Sequence, residues 1–439
     1  MRGIEAALTI LSSKKNSFSS EALRKLADRE KMKSTDITLA SSLIYIVLRK
    51  KELWEKLADN FVHAKEKLPV PVYTAMLAGT GGLMELRRFS EGVLINGIVE
   101  TLKKDKKNQK YISLVNAVLR KVNESGAEII EKLKKSPSLD DRALTAGVPV
   151  WCLKAWEKGW NRAELNEIFE MFESSSSYSA VRTKDSEKFL TLLEEKNIRA
   201  FKSDISEAVR ITGSVLPTSL PGFSEGLCSV QSESSIIAAS LVKKFYSGKG
   251  LILDMCSGRG VKAGQILQEC ENSRLECWEL SSGRSESAKK ELERLKVLNR
   301  AKLKIGSALE ITPDYEPNFI MLDAPCSGSG TWNRKPESKW QLSWKKLDFI
   351  VDTQKKLLDR ALSLIKSGGY VLYITCSLLR QENESVVAEI LAKHQDCAEI
   401  SKMIDFKGDA FKKGRPYGFY IMPCNSWLDG FYLSLIMKK

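Results

Sequence analysis

The sequence of 439 residues has little of what several common protein classes need. Only two histidines are present, His63 and His394, so a catalytic triad or a histidine-rich metal site has almost no material to draw on. The nine cysteines include no Cys-x-x-Cys pair, which argues against zinc and disulfides and is typical of a reducing cytoplasm. No apolar run approaches the roughly 18 residues of a membrane span, and the first residues do not resemble a signal peptide. We therefore expect a cytoplasmic chain with no membrane segment and no bound metal.

What the chain has is an excess of positive charge. The formal net charge is +14, with 43% hydrophobic and 28% charged residues, which is typical of a folded chain of two or three domains. Residues 1–140 hold 26 Lys and Arg against 17 Asp and Glu, a net charge of +9. The densest basic run contains Lys103, Lys104, Lys106 and Lys107. This run predicts a loop that faces phosphates, and a solvated loop between two helices is the alternative.

The hydrophobic pattern changes twice along the chain. In residues 1–140 apolar residues recur at helical spacing, which predicts an all-α bundle ending near Pro137. Residues 148–232 show a mixed pattern typical of a small α+β segment. In residues 233–439 short apolar strands alternate with helices, which predicts parallel βαβ units and a doubly wound, Rossmann-like α/β domain.

Two strand ends of this α/β domain suit a nucleotide-like cofactor. A glycine-containing loop follows the strand 251–254, and glycine lets backbone amides approach a ligand closely. The next strand ends at Glu279, where a carboxylate commonly holds a ribose diol. A tight turn and a surface glutamate are the alternatives for each feature alone, and together the two favour a cofactor site. Its candidate residues are Asp254, Met255, Cys256, Ser257, Gly258, Arg259, Gly260 and Glu279.

Two further strand ends carry cysteines. Asp323 ends one strand and Cys326 follows it, and Cys376 follows another strand after Thr375. A cysteine at a strand end is partly exposed, and its thiolate is a strong nucleophile. A lone free cysteine is more often a small buried hydrophobe. Two cysteines and an aspartate on the same rim favour catalysis.

These motifs resemble those of the RNA cytosine-5 methyltransferases of the RsmB (Fmu/Sun) type, over almost the whole chain. The matching segments are Leu322-Asp323-Ala324-Pro325-Cys326-Ser327, Arg334-Lys335-Pro336, Lys339-Trp340, Tyr373-Ile374-Thr375-Cys376-Ser377, Glu382-Asn383-Glu384, Pro221-Gly222-Phe223, Ser229-Val230-Gln231 and Asp429-Gly430-Phe431-Tyr432. At the N-terminus, Leu43-Ile44-Tyr45 and Leu114-Val115-Asn116-Ala117-Val118-Leu119-Arg120 are similar to the NusB-like helical domain. The resemblance implies a NusB-like domain over 1–140, a connecting subdomain over 148–232 and a methyltransferase domain over 233–439.

The resemblance also implies residue roles. Cys376 would add to carbon 6 of cytosine, Cys326 would help to break the covalent adduct, and Asp323 would bind the base. S-adenosyl-L-methionine would lie across Asp254–Gly260, with its ribose on Glu279, and Lys262 and Asp323 would belong to the same cofactor pocket. The partner would be single-stranded or splayed-out 16S rRNA, bound by a chain that we expect to be monomeric. Its expected contacts are Arg334, Lys335, Lys339, Trp332, Trp340, Lys103, Lys104, Lys106 and Lys107, with core packing as the alternative for the tryptophans.

The chain departs from the family pattern mainly on the cofactor side. The family's Ala-Ala-Pro-Gly-Gly-Lys-Thr loop is Ser-Gly-Arg-Gly-Val-Lys-Ala over 257–263, and the acid of its Gly-Asp segment is Ser307. Weaker cofactor binding is the expected consequence, partly offset if Arg259 contacts the cofactor carboxylate. Two alternatives follow: a DNA cytosine-5 methyltransferase that uses Cys326 as nucleophile, and an RNA-binding assembly factor with impaired cofactor binding. The presence of both cysteines argues against the assembly factor.

Overall fold

The structure is a computed structural model, and it describes residues 2–13, 19–62, 65–86, 89–173, 178–213, 215–405, 408, 410–423 and 428–439. The chain divides into two compact units. The helical unit contains Met1–Glu173 and Trp332–Gln341, and the sheet unit contains Ser174–Thr331 and Leu342–Lys439. The finer three-part division into 1–140, 148–232 and 233–439 stays a prediction. In the described part of the chain no helix is long and apolar enough to cross a membrane.

Among the described residues, the helical unit begins with ten α-helices. Their bounds are α1 (Arg2–Leu11), α2 (Ser19–Glu30), α3 (Ser34–Arg49), α4 (Lys51–Asp59), α5 (Val70–Glu85), α6 (Glu91–Lys103), α7 (Ile112–Lys135), α8 (Leu139–Ala146), α9 (Val150–Trp156) and α10 (Arg162–Glu173). The predicted apolar stripes of α3 and α7 are buried in one core. Gly79 lies where a Cβ atom would clash with the side chain of Leu119, so glycine lets α5 approach α7 closely. The predicted all-α bundle is confirmed.

The sheet unit opens with a small antiparallel sheet. Its elements are β1 (Tyr178–Thr183), α11 (Ser186–Glu195), β2 (Ala200–Lys202), β3 (Ala208–Thr212) and β4 (Cys228–Val230), and the strand order is β2-β3-β1-β4. Phe189 and Leu193 of α11 pack with Val209 and Ile211 of β3 in a core of their own. This arrangement is the predicted small α+β segment.

A second, nine-stranded sheet follows. Its strands are β5 (Leu251–Asp254), β6 (Arg274–Glu279), β7 (Ala301–Ile305), β8 (Pro317–Asp323), β9 (Tyr370–Thr375), β10 (Cys397–Glu399), β11 (Phe411–Lys413), β12 (Phe419–Ile421) and β13 (Phe431–Lys438). The remaining helices are α12 (Glu233–Phe245), α13 (Val261–Glu269), α14 (Ser282–Arg294), α15 (Glu337–Trp340), α16 (Trp344–Leu364) and α17 (Glu384–Leu391), of which α15 lies in the helical unit. The main strand order is β11-β12-β13-β9-β8-β5-β6-β7, and β10 pairs with β13.

The middle of this sheet is parallel and positions the site. Strands β9, β8, β5, β6 and β7 run in the same direction, whereas β13 is antiparallel to β9. The carboxyl ends of parallel strands lie at one edge, so the loops that follow β5, β6, β8 and β9 share that edge. The Rossmann-like fold predicted from the sequence is confirmed.

Candidate active site

The two strand-end cysteines lie side by side in the sheet unit. Cys326 follows β8 and Cys376 follows the neighbouring strand β9, and their Sγ atoms are 3.3 Å apart. Both are free and half-buried thiols. The pKa of Cys326 is raised well above its ordinary value. The causes are a hydrogen bond between its thiol and Cys376, burial, and the negative charges of Cys376, Glu382 and Asp323. Cys326 is therefore held as a thiol beside the sulfur of Cys376.

Backbone hydrogen bonds hold the two cysteine loops against each other. The amide of Ala324 donates to the carbonyl of Ile374 at 2.9 Å, and the amide of Gly330 donates to the carbonyl of Cys376 at 3.0 Å. Gly328 has φ 70°, a backbone conformation that glycine adopts without strain. The loop after β8 can therefore turn back and lie along the end of β9.

Lys262 and Asp323 form an ion pair beside the cysteines. The Nζ atom of Lys262, near the start of α13, lies 2.6 Å from Oδ2 of Asp323 at the end of β8. Burial lowers the pKa of Lys262. The negative charges of Asp323, Cys376 and Asp254 raise it by more than burial lowers it, so the net shift is upward. Because charge at Cys376 is one cause of this shift, the Lys262 ammonium lies close enough to the Cys376 sulfur to interact with it. The sequence indicated Lys262 only as part of the cofactor pocket, and the structure places it between that pocket and the cysteines.

Asp254 ends β5 as a buried carboxylate. It is 1% exposed, and neither of its oxygens makes a well-formed hydrogen bond to a described residue. Burial and the charge of Asp323 raise the pKa of Asp254 to about 7, although Lys262 and the Cys256 amide act in the opposite direction. A buried carboxylate with no well-formed hydrogen bond is costly, so this position suits a ligand that brings a cation or a hydrogen-bond donor.

The loop 255–260 connects β5 to α13 and is hydrogen-bonded to Glu279. Gly258 and Gly260 have φ 57° and 77°, and the Gly258 amide donates to Oε2 of Glu279 at 3.0 Å. Oε1 of Glu279 accepts from the Ser281 amide at 2.8 Å and pairs with Arg284 at 2.8 Å. Arg259 is exposed on this loop. The predicted cofactor residues therefore lie next to one another, and Glu279 also fixes the loop itself.

Ser307, which stands where the family has an acid, follows β7. Its hydroxyl accepts a hydrogen bond from the Leu309 amide at 3.3 Å. No carboxylate at this position can therefore contribute to a cofactor site.

Sequence reasoning missed the role of Glu382. This fully buried carboxylate accepts hydrogen bonds from the Ser327 amide at 2.7 Å and from the Ser327 and Ser377 hydroxyls at 2.5 Å each. Ser327 and Ser377 each follow one of the two cysteines directly. The motif Glu-Asn-Glu was the available signal, but its partner Ser327 lies 55 residues away in sequence.

The positions of residues 332–341 differ in part from the predicted RNA interface. Trp332 is fully buried in the helical unit, with ring centroids 6.1 Å from Trp156 and 6.4 Å from Phe172. It is a core residue and has no exposed face on which a base could stack.

Lys339 and Trp340 are anchored in the same unit. Lys339 is 2% exposed and donates to the carbonyls of Arg49 at 2.5 Å and Gly147 at 2.6 Å, and burial lowers its pKa to about 7. The indole of half-buried Trp340 donates to the Leu48 carbonyl at 2.5 Å. These contacts leave the Lys339 ammonium unavailable to a phosphate, so the structure does not support it as an RNA contact. Trp340 is tied to α3 and has only part of its ring exposed. Lys335 is exposed and Arg334 half-buried.

The lysines of the predicted basic run in the helical unit are exposed, but they differ in whether a carboxylate pairs with them. Lys103 pairs with Glu100 at 2.6 Å, and Lys104 pairs with Glu5 at 2.5 Å. Among the described residues no carboxylate forms an ion pair with Lys106 or Lys107, which lie between α6 and α7. The last two lysines are therefore better placed for a phosphate than the first two.

Comparison with known families agrees with this architecture. The family described as "16S rRNA methyltransferase RsmB/F" matches residues 246–437, and the NusB family matches residues 4–124. The chain is similar to "Ribosomal RNA small subunit methyltransferase B" of Proteus mirabilis, with 27% identity over 396 residues that cover 88% of this chain and 85% of the relative. The protein of the same name from Shewanella oneidensis is 26% identical over 341 residues, which cover 76% and 74%.

Solved structures share the fold. "Crystal Structure of PH0851" matches with a TM-score of 0.78 and 20% identity, covering 100% of this chain and 98% of that one. "The crystal structure of NSun6 from Pyrococcus horikoshii with SFG" matches with a TM-score of 0.58 and 16% identity, covering 66% and 98%. The two family matches lie in different parts of the chain, one on the helical unit and one on the nine-stranded sheet. The chain is therefore similar to the RsmB/F family of 16S rRNA methyltransferases over residues 246–437 and to the NusB family over residues 4–124.

Proposed function

We propose that this rRNA methyltransferase transfers a methyl group from S-adenosyl-L-methionine to carbon 5 of a cytosine in 16S rRNA through a covalent adduct with Cys376. The observation that carries the proposal is the pair of Sγ atoms, 3.3 Å apart, beside the Lys262–Asp323 ion pair. Carbon 5 of cytosine is too weak a nucleophile to attack a methyl group directly. Addition of a thiolate to carbon 6 makes it enamine-like and divides one difficult step into two easier ones.

Cys376 is the nucleophile in this proposal, because Cys326 is held as a thiol by its raised pKa. The Cys376 sulfur forms a bond to carbon 6, and the electron pair of the 5,6 double bond moves to carbon 5 and, through carbon 4, to ring nitrogen 3. The Lys262 ammonium lies close enough to interact with negative charge on the attacking sulfur.

Cys326 acts after methyl transfer. The proton on carbon 5 must leave before the bond between Cys376 and carbon 6 can break. Cys326 is the sulfur beside the adduct; it first releases its own thiol proton to solvent, and the resulting thiolate, with its raised pKa, has a high affinity for the proton on carbon 5. The electron pair of the carbon–hydrogen bond restores the 5,6 double bond, and the Cys376 thiolate leaves.

Asp323 orients the base. Its Oδ2 atom is engaged by Lys262, and we propose that Oδ1 accepts a hydrogen bond from the exocyclic amine. A fixed carboxylate–ammonium pair at this point binds the Watson–Crick edge of the base and opposes charge that develops on the ring. That edge is accessible only in unpaired RNA, so the proposed substrate is single-stranded or splayed out.

The cofactor site fits S-adenosyl-L-methionine, which supplies the methyl group when bound. The orphaned carboxylate of Asp254 suits the ammonium of its amino-acid part, and exposed Arg259 suits the carboxylate. Glu279 would accept from the ribose hydroxyls, and Leu280, which follows it, is 70% exposed and offers an apolar face to the adenine. Arg334, Lys335, Lys106 and Lys107 remain the proposed RNA contacts.

Trapping with 5-fluorocytosine RNA tests the proposal, because fluorine at carbon 5 cannot leave as a proton and the adduct accumulates. Wild type and Cys326→Ala should form a cofactor-dependent covalent complex, and Cys376→Ala should form none. Loss of the complex in Cys326→Ala alone would instead indicate the mechanism of a DNA-type enzyme. Absence of the complex in wild type would refute the proposed chemistry and favour an RNA-binding assembly factor.

A further inference from the structure

Glu382 is a buried acid that the proposed chemistry does not use. In addition to Ser327 and Ser377, its Oε1 atom accepts from the Gln354 side chain at 3.0 Å. The same Gln354 amide donates to the carbonyl of Pro325 at 2.8 Å, next to Cys326. Glu382 thus contacts the loop of Cys326, the loop of Cys376 and, through Gln354, helix α16.

Placing a carboxylate in this position costs free energy. Glu382 is fully buried, and among the described residues no lysine or arginine forms an ion pair with it. Burial raises the pKa of Glu382, and only the hydrogen bonds from Ser327, Ser377 and Gln354 act against that shift. An apolar residue would stabilise a core more cheaply, so the hydrogen-bonding geometry is the feature that requires a carboxylate here.

Two consequences reach the cysteines. The hydrogen bonds from Ser327 and Ser377 join the residues that directly follow Cys326 and Cys376, so they hold the two sulfurs at one separation. The negative charge of Glu382 also contributes to the raised pKa of Cys326. The first effect holds both cysteines, whereas the second acts on the pKa of Cys326.

We propose that Glu382 is a positioning residue that clamps the two cysteine loops together and keeps Cys326 in its thiol form beside Cys376. The clamp consists of Ser327, Ser377, Gln354 and Glu382, and it acts only through the two cysteines. Its importance for turnover rests on the proposed function, whereas its effect on the two sulfurs does not.

The first measurement needs neither RNA nor cofactor. Diamide accepts two hydrogens as two adjacent thiols become a disulfide, and mass spectrometry of the linked peptides gives the rate for Cys326–Cys376. Glu382→Ala should slow this cross-link about tenfold, since a disulfide needs its two sulfurs in one narrow geometry. The matched control is Glu384→Gln, because Glu384 is also buried and accepts from the Tyr420 hydroxyl at 2.5 Å, away from the clamp.

Glu382→Gln removes the negative charge of the side chain with little change of shape. It also replaces Glu382→Ala in these assays if the alanine variant does not fold. In a Cys376→Ser background, iodoacetamide should alkylate Cys326 at pH 8.5 severalfold faster when residue 382 is uncharged, because loss of the Glu382 charge lowers the pKa of Cys326 and raises its thiolate fraction. In the Glu384→Gln variant, Cys326 should be alkylated at the same rate as in the Cys376→Ser protein. Equal rates for the Glu382 and Glu384 variants in both assays would overturn the proposal.

The adduct assay separates this proposal from the proposed function. Glu382→Gln should still form the 5-fluorocytosine complex but should release methylated RNA more slowly than wild type on ordinary substrate. If wild type formed no complex while the cross-linking and alkylation effects remained, the positioning role of Glu382 would be supported and the proposed covalent mechanism would be refuted.

Discussion

The amide of Gly430 donates a hydrogen bond to the carbonyl of Gly330 at 2.8 Å, and a Cβ atom on Gly330 would overlap the carbonyl of Gly430. Two glycine backbones therefore touch where the loop of Cys326 meets the start of β13. Gly330 also donates to the Cys376 carbonyl, so one glycine joins both cysteine loops to the final strand. The Asp-Gly-Phe-Tyr motif thus has a physical reason: residue 430 must leave room for residue 330.

Gly330→Ala should displace the Cys326 loop because the neighbour it meets is backbone and cannot rotate away. We expect a loss of methylation of about tenfold or more and a lower thermal midpoint, since overpacking typically costs about 1–3 kcal/mol. Gly283→Ala in α14 is the control, because among the described residues, apart from its chain neighbours and the backbone of its own helix, no atom lies closer than 4.0 Å to the added Cβ. Equal activity for the two variants would contradict the close packing of these loops.

Local pattern predicted more of the catalytic rim than of the RNA surface. Asp254, Glu279, Asp323 and Cys376 end or follow parallel strands, and parallel strands bring such residues to one edge whatever the rest of the chain does. Lys339 looked like a phosphate contact, yet its partners are carbonyls about 190 and 290 residues away in sequence. Burial of that kind depends on tertiary packing, which composition and spacing do not encode.

Asp254→Asn should stabilise the protein without cofactor, and the effect should grow with pH. The pKa of Asp254 is raised to about 7 in the folded chain and returns to its ordinary value near 4 on unfolding. Between these values the folded state binds more protons than the unfolded state, so the wild-type free energy of unfolding falls as pH rises from about 4 to about 7. Asparagine removes that slope.

Chemical denaturation at pH 5 and pH 8 measures this difference. Wild type should lose stability relative to Asp254→Asn between the two pH values, and the variant should bind S-adenosyl-L-methionine more weakly in calorimetry. A pH-independent difference between the two proteins would contradict the burial of an unpaired carboxylate at the end of β5.

The basic run between α6 and α7 should contribute unequally to RNA binding. Lys106→Ala/Lys107→Ala should reduce the slope of log affinity against log salt concentration by about 1 to 2, because each phosphate contact releases counterions. Lys103→Ala/Lys104→Ala removes the same formal charge but also frees Glu100 and Glu5, so we expect a different and smaller change. Filter binding of a 16S rRNA fragment over a range of salt concentrations would compare them. Equal slopes for the two double variants would contradict the assignment.

Lys335→Ala and Lys339→Met should separate RNA contact from structure within the segment 332–341. Lys335 is exposed, so its loss should leave the thermal midpoint unchanged and weaken RNA binding, with a shallower salt dependence. Lys339→Met should leave the carbonyls of Arg49 and Gly147 without their donor, at a cost of about 1–3 kcal/mol for each unsatisfied group. Removing a buried ammonium offsets part of that cost, so we expect a net destabilisation of about 1–3 kcal/mol. Thermal unfolding and RNA binding of both variants are the measurements, and a Lys339→Met protein that kept its stability but lost its salt-dependent RNA affinity would reverse our correction of that residue.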